Sequence, residues 1–174
     1  MRTLRTIYVR SAPGSRTRGW LIAGHWAFPV ALGRGGILAN KREGDGGTPR
    51  GNFRLRRLWW RADRFPRPLT RLPTRPIGPM DAWCEDPQDR RYNRAIQMTG
   101  GQLGDRLRRD DHLYDFIVEI DQNTRPRVSG RGSAVFIHVA KPRLGSSAGC
   151  VAMPRARLQR LLEKVSTATR INIR

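Results

Sequence analysis

The sequence predicts a mainly β fold completed by one C-terminal helix. Two observations carry that expectation. Short apolar, β-branched runs recur along the chain between turn residues, with 18 Gly and 12 Pro among 174 residues. A single stretch, Leu158, Leu161, Leu162 and Val165, repeats apolar residues at helical spacing. The length suits one domain, spanning residues 1–174, with its own core.

The elements follow in order. Thr6 to Val9 reads as a first strand. Trp20 to Ala23 and Ala27 to Leu32 are two more, joined by a hairpin at Gly24-His25. Residues 43–51, EGDGGTPRG, form a structured glycine-rich loop. Phe53 to Trp60 alternates imperfectly as a strand, and the Arg- and Pro-rich residues 61–80 read as a long surface loop. Gln102 to Arg108 reads as a short helix. Tyr114 to Ile120 and Ala134 to Val139 are strands, the second ending near a histidine. Pro154 suits the first turn of the helix, and Arg170 to Ile173 is a last strand.

Charge and composition narrow the partners. The formal net charge is +20, with only Lys41, Lys141 and Lys164 as lysines. Such a charge admits nucleic acid, an anionic membrane or an acidic polymer as partner, and equally an Arg-rich genome. The arginines are scattered and form no polybasic tail, and no aromatic RNA-binding motif is visible, so no specific nucleic acid is expected. No apolar run is long enough to span a membrane, and Met1 to Arg10 contains no apolar signal region. Neither Cys84 nor Cys150 sits in a CxxC, and His25, His112 and His138 lie far apart, which leaves a zinc site poorly supported.

The informative stretch is RGSAVFIHVAKPRLGSSAGCVAM, residues 131–153. A strand delivers His138 and a Gly/Ser loop then delivers Cys150. Thiolate is the nucleophilic form of cysteine, so it needs a base or a positive field nearby. Gly149 removes a side chain beside the sulfur and lets main-chain N–H groups meet a developing oxyanion. An ion pair of His138 and Cys150 in an Arg-rich cleft predicts a thiolate at about pH 6–7. The plain structural alternative is a buried cysteine and a satisfied core histidine. Cys84, beside Trp83, reads as structural in that sense. Asn93 and Asp115 are further cleft candidates, and Trp59 and Trp60 read as core before they read as a glycan grip.

His138 followed by Ser147-Ala148-Gly149-Cys150-Val151 resembles the catalytic motif of the L,D-transpeptidase (YkuD) family. Three further blocks agree: Lys41 to Phe53, similar to that family's EGDGxTPxGxF segment; Trp83-Cys84-Glu85-Asp86 with Tyr92-Asn93; and Arg131-Gly132-Ser133-Ala134. The last two resemble a short branch without a wall-binding module. Ala152 and Ala148 depart from residues frequent in the wider family, so charge near the site must come from elsewhere, with Arg131 and, behind it, Arg143 as the choices.

The resemblance implies a β-sandwich of mixed sheets with short helices and one C-terminal helix. It implies Cys150 as nucleophile, His138 as general base and acid, Gly149 as an oxyanion-hole N–H and the Val139 carbonyl as the orienter of His138. Arg131, Tyr92, Asp86, Tyr114 and Ser147 are then expected to contact substrate. No metal or organic cofactor is implied. The partners are peptidoglycan stem peptides, donor and acceptor, met by a monomer in the periplasm or cell wall. The expected product is a cross-link, from L-Ala at position 1 to diaminopimelate (1–3) in preference to 3–3. Two alternatives stay open: a basic nucleic-acid- or anionic-polymer-binding protein without catalysis, and an L,D-carboxypeptidase or endopeptidase using water.

Overall fold

The computed structural model describes residues 3–101 and 104–174. The strands are β1 Thr6–Ser11, β2 Arg18–Ala23, β3 Trp26–Ala31, β4 Ile37–Leu38, β5 Thr48–Pro49, β6 Gly51–Trp60 and β7 Thr74–Pro76. They continue as β8 Asp81–Cys84, β9 Ala95–Gln97, β10 Gly104–Arg106, β11 Phe116–Ile120, β12 Phe136–Val139 and β13 Val151–Met153. The helix α1, Arg155–Leu162, and a last strand β14, Arg170–Ile173, complete the chain. The fold is mainly β with one helix, as expected.

The large sheet runs β11-β12-β13-β3-β2-β1-β14-β6-β7, and β11 also pairs with β6, so the sheet closes on itself. The sandwich is therefore one wrapped, mixed sheet. β1–β14, β12–β13 and β6–β7 are parallel, and its other pairs are antiparallel. Closure leaves the three-residue β7, paired only with β6, as the ring's free edge, and a short edge is a poor template for aggregation.

The imperfect alternation of β6 has a cause. Opposite β11, Ile120 pairs with Leu55 and Glu119 with Arg57, so Arg56 is the extra residue of a bulge. Leu55, Leu58 and Trp60 face the main core, whereas Trp59 points into a second cluster outside the ring. The main core takes Leu158, Leu161 and Leu162 from α1, with Val165 just beyond it. Fully burying a side chain of this size contributes roughly 1.5–3 kcal/mol. Pro154 caps the helix start.

A second, three-stranded sheet, β10-β8-β9, lies against the ring. Its two faces follow the period-2 rule. Trp83 joins the second cluster with Trp59, Tyr114, Ile117, Phe136 and Cys150, while Ala82 and Cys84 face away toward Ile96 and Met98. Trp83 meets Phe136 edge to face at 5.0 Å and Trp59 at 6.5 Å. Its indole N–H donates to Asn93 Oδ1 at 2.9 Å, which also accepts from Ala134 N–H.

This sheet corrects the helix expected over Gln102 to Arg108. Gln102 and Leu103 lie outside the described residues, and Gly104–Arg106 form β10, paired with Ala82, Trp83 and Cys84. Pairing across the sheet overrides a weak local propensity. The stretch 61–80 is more than loop, because it contributes β7 and buries Leu72 and Ile77.

Candidate active site

His138 sits on β12 and Cys150 immediately precedes β13. The two strands are parallel neighbours, with His138 opposite Ala152. Both residues are buried, 5% and 7% exposed, and both line one cavity of about 410 Å³. Adjacent parallel strands thus bring together two side chains separated by a loop.

That loop is held tightly. Ser147 N–H donates to the Leu32 carbonyl at 3.0 Å and Arg34 N–H to the Ser147 carbonyl at 3.0 Å, tying it to the end of β3. Ser147 Oγ donates to the Cys150 carbonyl at 2.6 Å and accepts from Gly149 N–H at 3.1 Å. Gly149 has φ 144°, and a Cβ there would lie 2.8 Å from the Gly47 carbonyl oxygen. Only glycine fits that approach to the 43–51 loop. Below it, Lys41 is buried and donates to Asp45 Oδ1 at 2.5 Å and the Arg42 carbonyl at 2.6 Å.

The imidazole is held by main-chain carbonyls: Nδ1 lies 2.8 Å from the Val139 carbonyl oxygen, and the Leu113 carbonyl also interacts with the ring. A carbonyl only accepts, so Nδ1 carries the proton and Nε2 presents its lone pair. The thiol is held elsewhere. Cys150 Sγ donates to the Ala134 carbonyl at 3.2 Å and accepts from Phe136 N–H at 3.3 Å. Ala134 has φ 51°, a left-handed conformation that costs an L-residue about 1 kcal/mol or more.

Burial sets the resting charge. It pushes the Cys150 thiol up to about 12, opposed by Phe136 N–H and Lys41 and assisted by the carboxylates of Asp105 and Glu85. Burial likewise pulls His138 down to about 4, against the hydrogen bond to Val139. At neutral pH the pair is a neutral thiol and a neutral imidazole. Burial thus outweighs the positive field expected to favour a thiolate at pH 6–7. Arg131 is exposed and Arg143 lies on a surface turn, its carbonyl accepting from Arg18.

The cavity gathers Cys150, His138, Gly149, Tyr114 and Ser147. Arg131, Tyr92 and Asp86 lie outside its lining. The Arg131 main chain is pinned by Gln122 at 3.0 Å. Tyr92 is buried and gives its hydroxyl to Glu43. Asp86 closes a turn on Gln88 N–H at 2.9 Å. Gly149 N–H is already taken by Ser147 Oγ. Asn93 braces Trp83, and the fully buried Asp115 holds Arg64 at 2.8 Å. Trp59 and Trp60 belong to the core.

Sequence reasoning missed the charged lining: Arg34, Lys41, Arg109 and Lys141, with Glu43, Glu85 and Asp105. One signal was present. Trp83 and Glu85 are two apart at the end of β8 and share a face, which Cys84 and Asp86 do not. Asp105 is the cross-strand partner of Trp83 and shares it too. Burial, then Asp105 and Glu43, raise Glu85 to about 7. Burial also raises Asp105, against its hydrogen bond from Tyr114. No group of His, Cys, Asp and Glu fit to hold a metal occurs among the described residues.

Compared with known proteins, residues 15–173 match the family model of the L,D-transpeptidase catalytic domain, YkuD. Neither the curated proteins nor the solved structures gave a match.

Proposed function

The chain belongs to the L,D-transpeptidase catalytic domain (YkuD) family, and from that membership we propose that Cys150 and His138 catalyse acyl transfer between peptidoglycan stem peptides. The family acts on peptidoglycan peptides and is generally associated with the cell wall. The observation that supports the mechanism is the convergence of a buried thiol and an imidazole, its Nδ1 held by the Val139 carbonyl, on one cavity.

The thiol leaves the Ala134 carbonyl and passes its proton to His138 Nε2 as sulfur attacks the donor carbonyl on the carboxyl side of an L-centre residue. Because both groups rest neutral, transfer accompanies attack. Gly149 N–H exchanges Ser147 Oγ for the developing oxyanion, beside Cys150 N–H. The imidazolium protonates the leaving amine and a thioester remains. An acceptor amine, the side-chain amine of diaminopimelate, then attacks the thioester, and the sulfur leaves as the thiol. The favoured product is the 1–3 link.

Incubation with disaccharide-peptide donors and acceptors, followed by mass spectrometry, tests this. Expected are one acyl adduct on Cys150 and 1–3 dimers. Dimers of the 3–3 type alone reverse the link preference, and hydrolysis products alone make the protein a peptidase. No adduct, together with salt-sensitive binding of an anionic polymer, leaves the non-catalytic alternative.

A further inference from the structure

Seven charged residues line the catalytic cavity, and the three acidic ones stand on one side of a chain whose net charge is +20. Two of the three are committed. Glu43 accepts from Ser133 Oγ at 2.7 Å and from the Tyr92 hydroxyl. Asp105 accepts from the Tyr114 hydroxyl and pairs with Arg109 at 3.5 Å. Glu85 has no hydrogen bond or ion pair among the described residues.

Resting on the transfer reaction above, we propose that Glu85, flanked by Asp105 and Glu43, is the acceptor subsite: it seats the acceptor's ammonium and takes a proton from it before attack on the Cys150 thioester. Three observations meet here. Glu85 and Asp105 share with Trp83 the face of the small sheet that looks into the cavity. The same cavity is lined by the almost fully buried His138, so one group is placed for the thiol's proton and another for the amine's. Finally, Asp105 and Glu85 both disfavour the Cys150 thiolate. They oppose a thiolate in the first half-reaction and attract the incoming group in the second, which is a cation.

The protons balance. An acceptor R–NH3+ has three N–H bonds and the product amide has one. One proton goes to the Glu85 carboxylate, giving the neutral amine and a carboxylic acid. The amine nitrogen forms its bond to the thioester carbon and the C–S bond breaks. The second proton passes through His138 to sulfur, which leaves as the thiol. A carboxyl group lifted to about 7 by burial and by Asp105 and Glu43 accepts and returns such a proton readily near neutral pH.

The two half-reactions separate this subsite from the mechanism it rests on. A donor tetrapeptide loads Cys150, and a diaminopimelate-containing tripeptide then discharges it, each step followed by intact-protein mass spectrometry. Glu85→Gln should load no more slowly than wild type, because a carboxylate opposing the thiolate is gone. Its discharge by the amine should fall at least about tenfold, the scale of a lost charged hydrogen bond, with more thioester lost to water. Glu85→Asp should recover most of the transfer. Unchanged aminolysis in a loaded Glu85→Gln enzyme overturns the subsite alone, and so does an equal slowing of both steps, which marks a structural role. Failure of wild type to load at all overturns the acyl-transfer mechanism itself.

Discussion

Two cysteines, both free and both buried, sit in regions built on opposite plans. Cys84 lies on the outer face of the small sheet among Ala82, Ile96 and Met98. Cys150 lines a cavity, between a main-chain donor and a main-chain acceptor and one strand from His138. Burial raises both thiols. What separates them is access and a neighbouring base: reactivity is a property of the place the backbone prepares, more than of the sulfur. The ring of strands places Cys150 beside His138, and the small sheet brings Glu85 and Asp105 to the same cavity.

The largest consequence is for chemistry on sulfur. Cys150→Ala should abolish acylation by peptide donors or a carbapenem, read as loss of the mass adduct, while Cys84→Ala retains it and costs about 1 kcal/mol in urea unfolding. Loss of the adduct in a folded Cys84→Ala protein would show that the two cysteines are not so divided. His138→Ala should cut turnover by roughly 100-fold or more, the usual scale of a general base. Alkylation of Cys150 tells which resting state exists. A thiol at about 12 beside an imidazole at about 4 gives a rate that climbs with pH through the neutral range, whereas an ion pair gives a plateau there.

The seam between the regions comes next. Trp83→Ala removes the edge-to-face contacts with Phe136 and Trp59 and should cost about 3–5 kcal/mol, measured by denaturant unfolding. If acylation outlasts amine transfer in that variant at permissive temperature, the small sheet serves the second step. A smaller effect concerns Glu85 and stability. Its carboxyl titrates higher in the folded chain than unfolded, so the unfolded state releases its proton first as pH rises. Its contribution is therefore neutral below about 4.5 and becomes destabilising as pH climbs through about 7. Glu85→Gln should raise Tm at pH 8 and leave it unchanged at pH 4; equal Tm values at both would mean Glu85 is ionised in the fold at no cost.

The same division governs what could be read from the amino-acid order. Ring strands β1, β2, β3, β6, β11, β12 and β14, and the helix, announce themselves because burial on one or both faces imprints a local pattern. The strands of the small sheet are three or four residues long. That is too short for a period to emerge, and their order comes from pairing across tens of residues. That Cys150 and His138 share a cavity was legible for the same reason as the ring: they fall in one continuous stretch with a local motif. The acidic wall was not, since Glu43, Glu85 and Asp105 come from three separate segments. Asp86 and Arg131, expected in the cleft, lie outside the cavity lining while Glu85 lies in it; which of two adjacent residues faces inward depends on the path of the main chain.

The left-handed turn at Ala134 has a further effect. It aims a carbonyl at the sulfur and keeps the S–H bond occupied between turnovers. Peroxide and disulfide exchange attack exposed thiolates, and this sulfur at rest is neither exposed nor ionised. A conformation that an alanine adopts at a small energetic cost thus helps to keep the Cys150 sulfur covered.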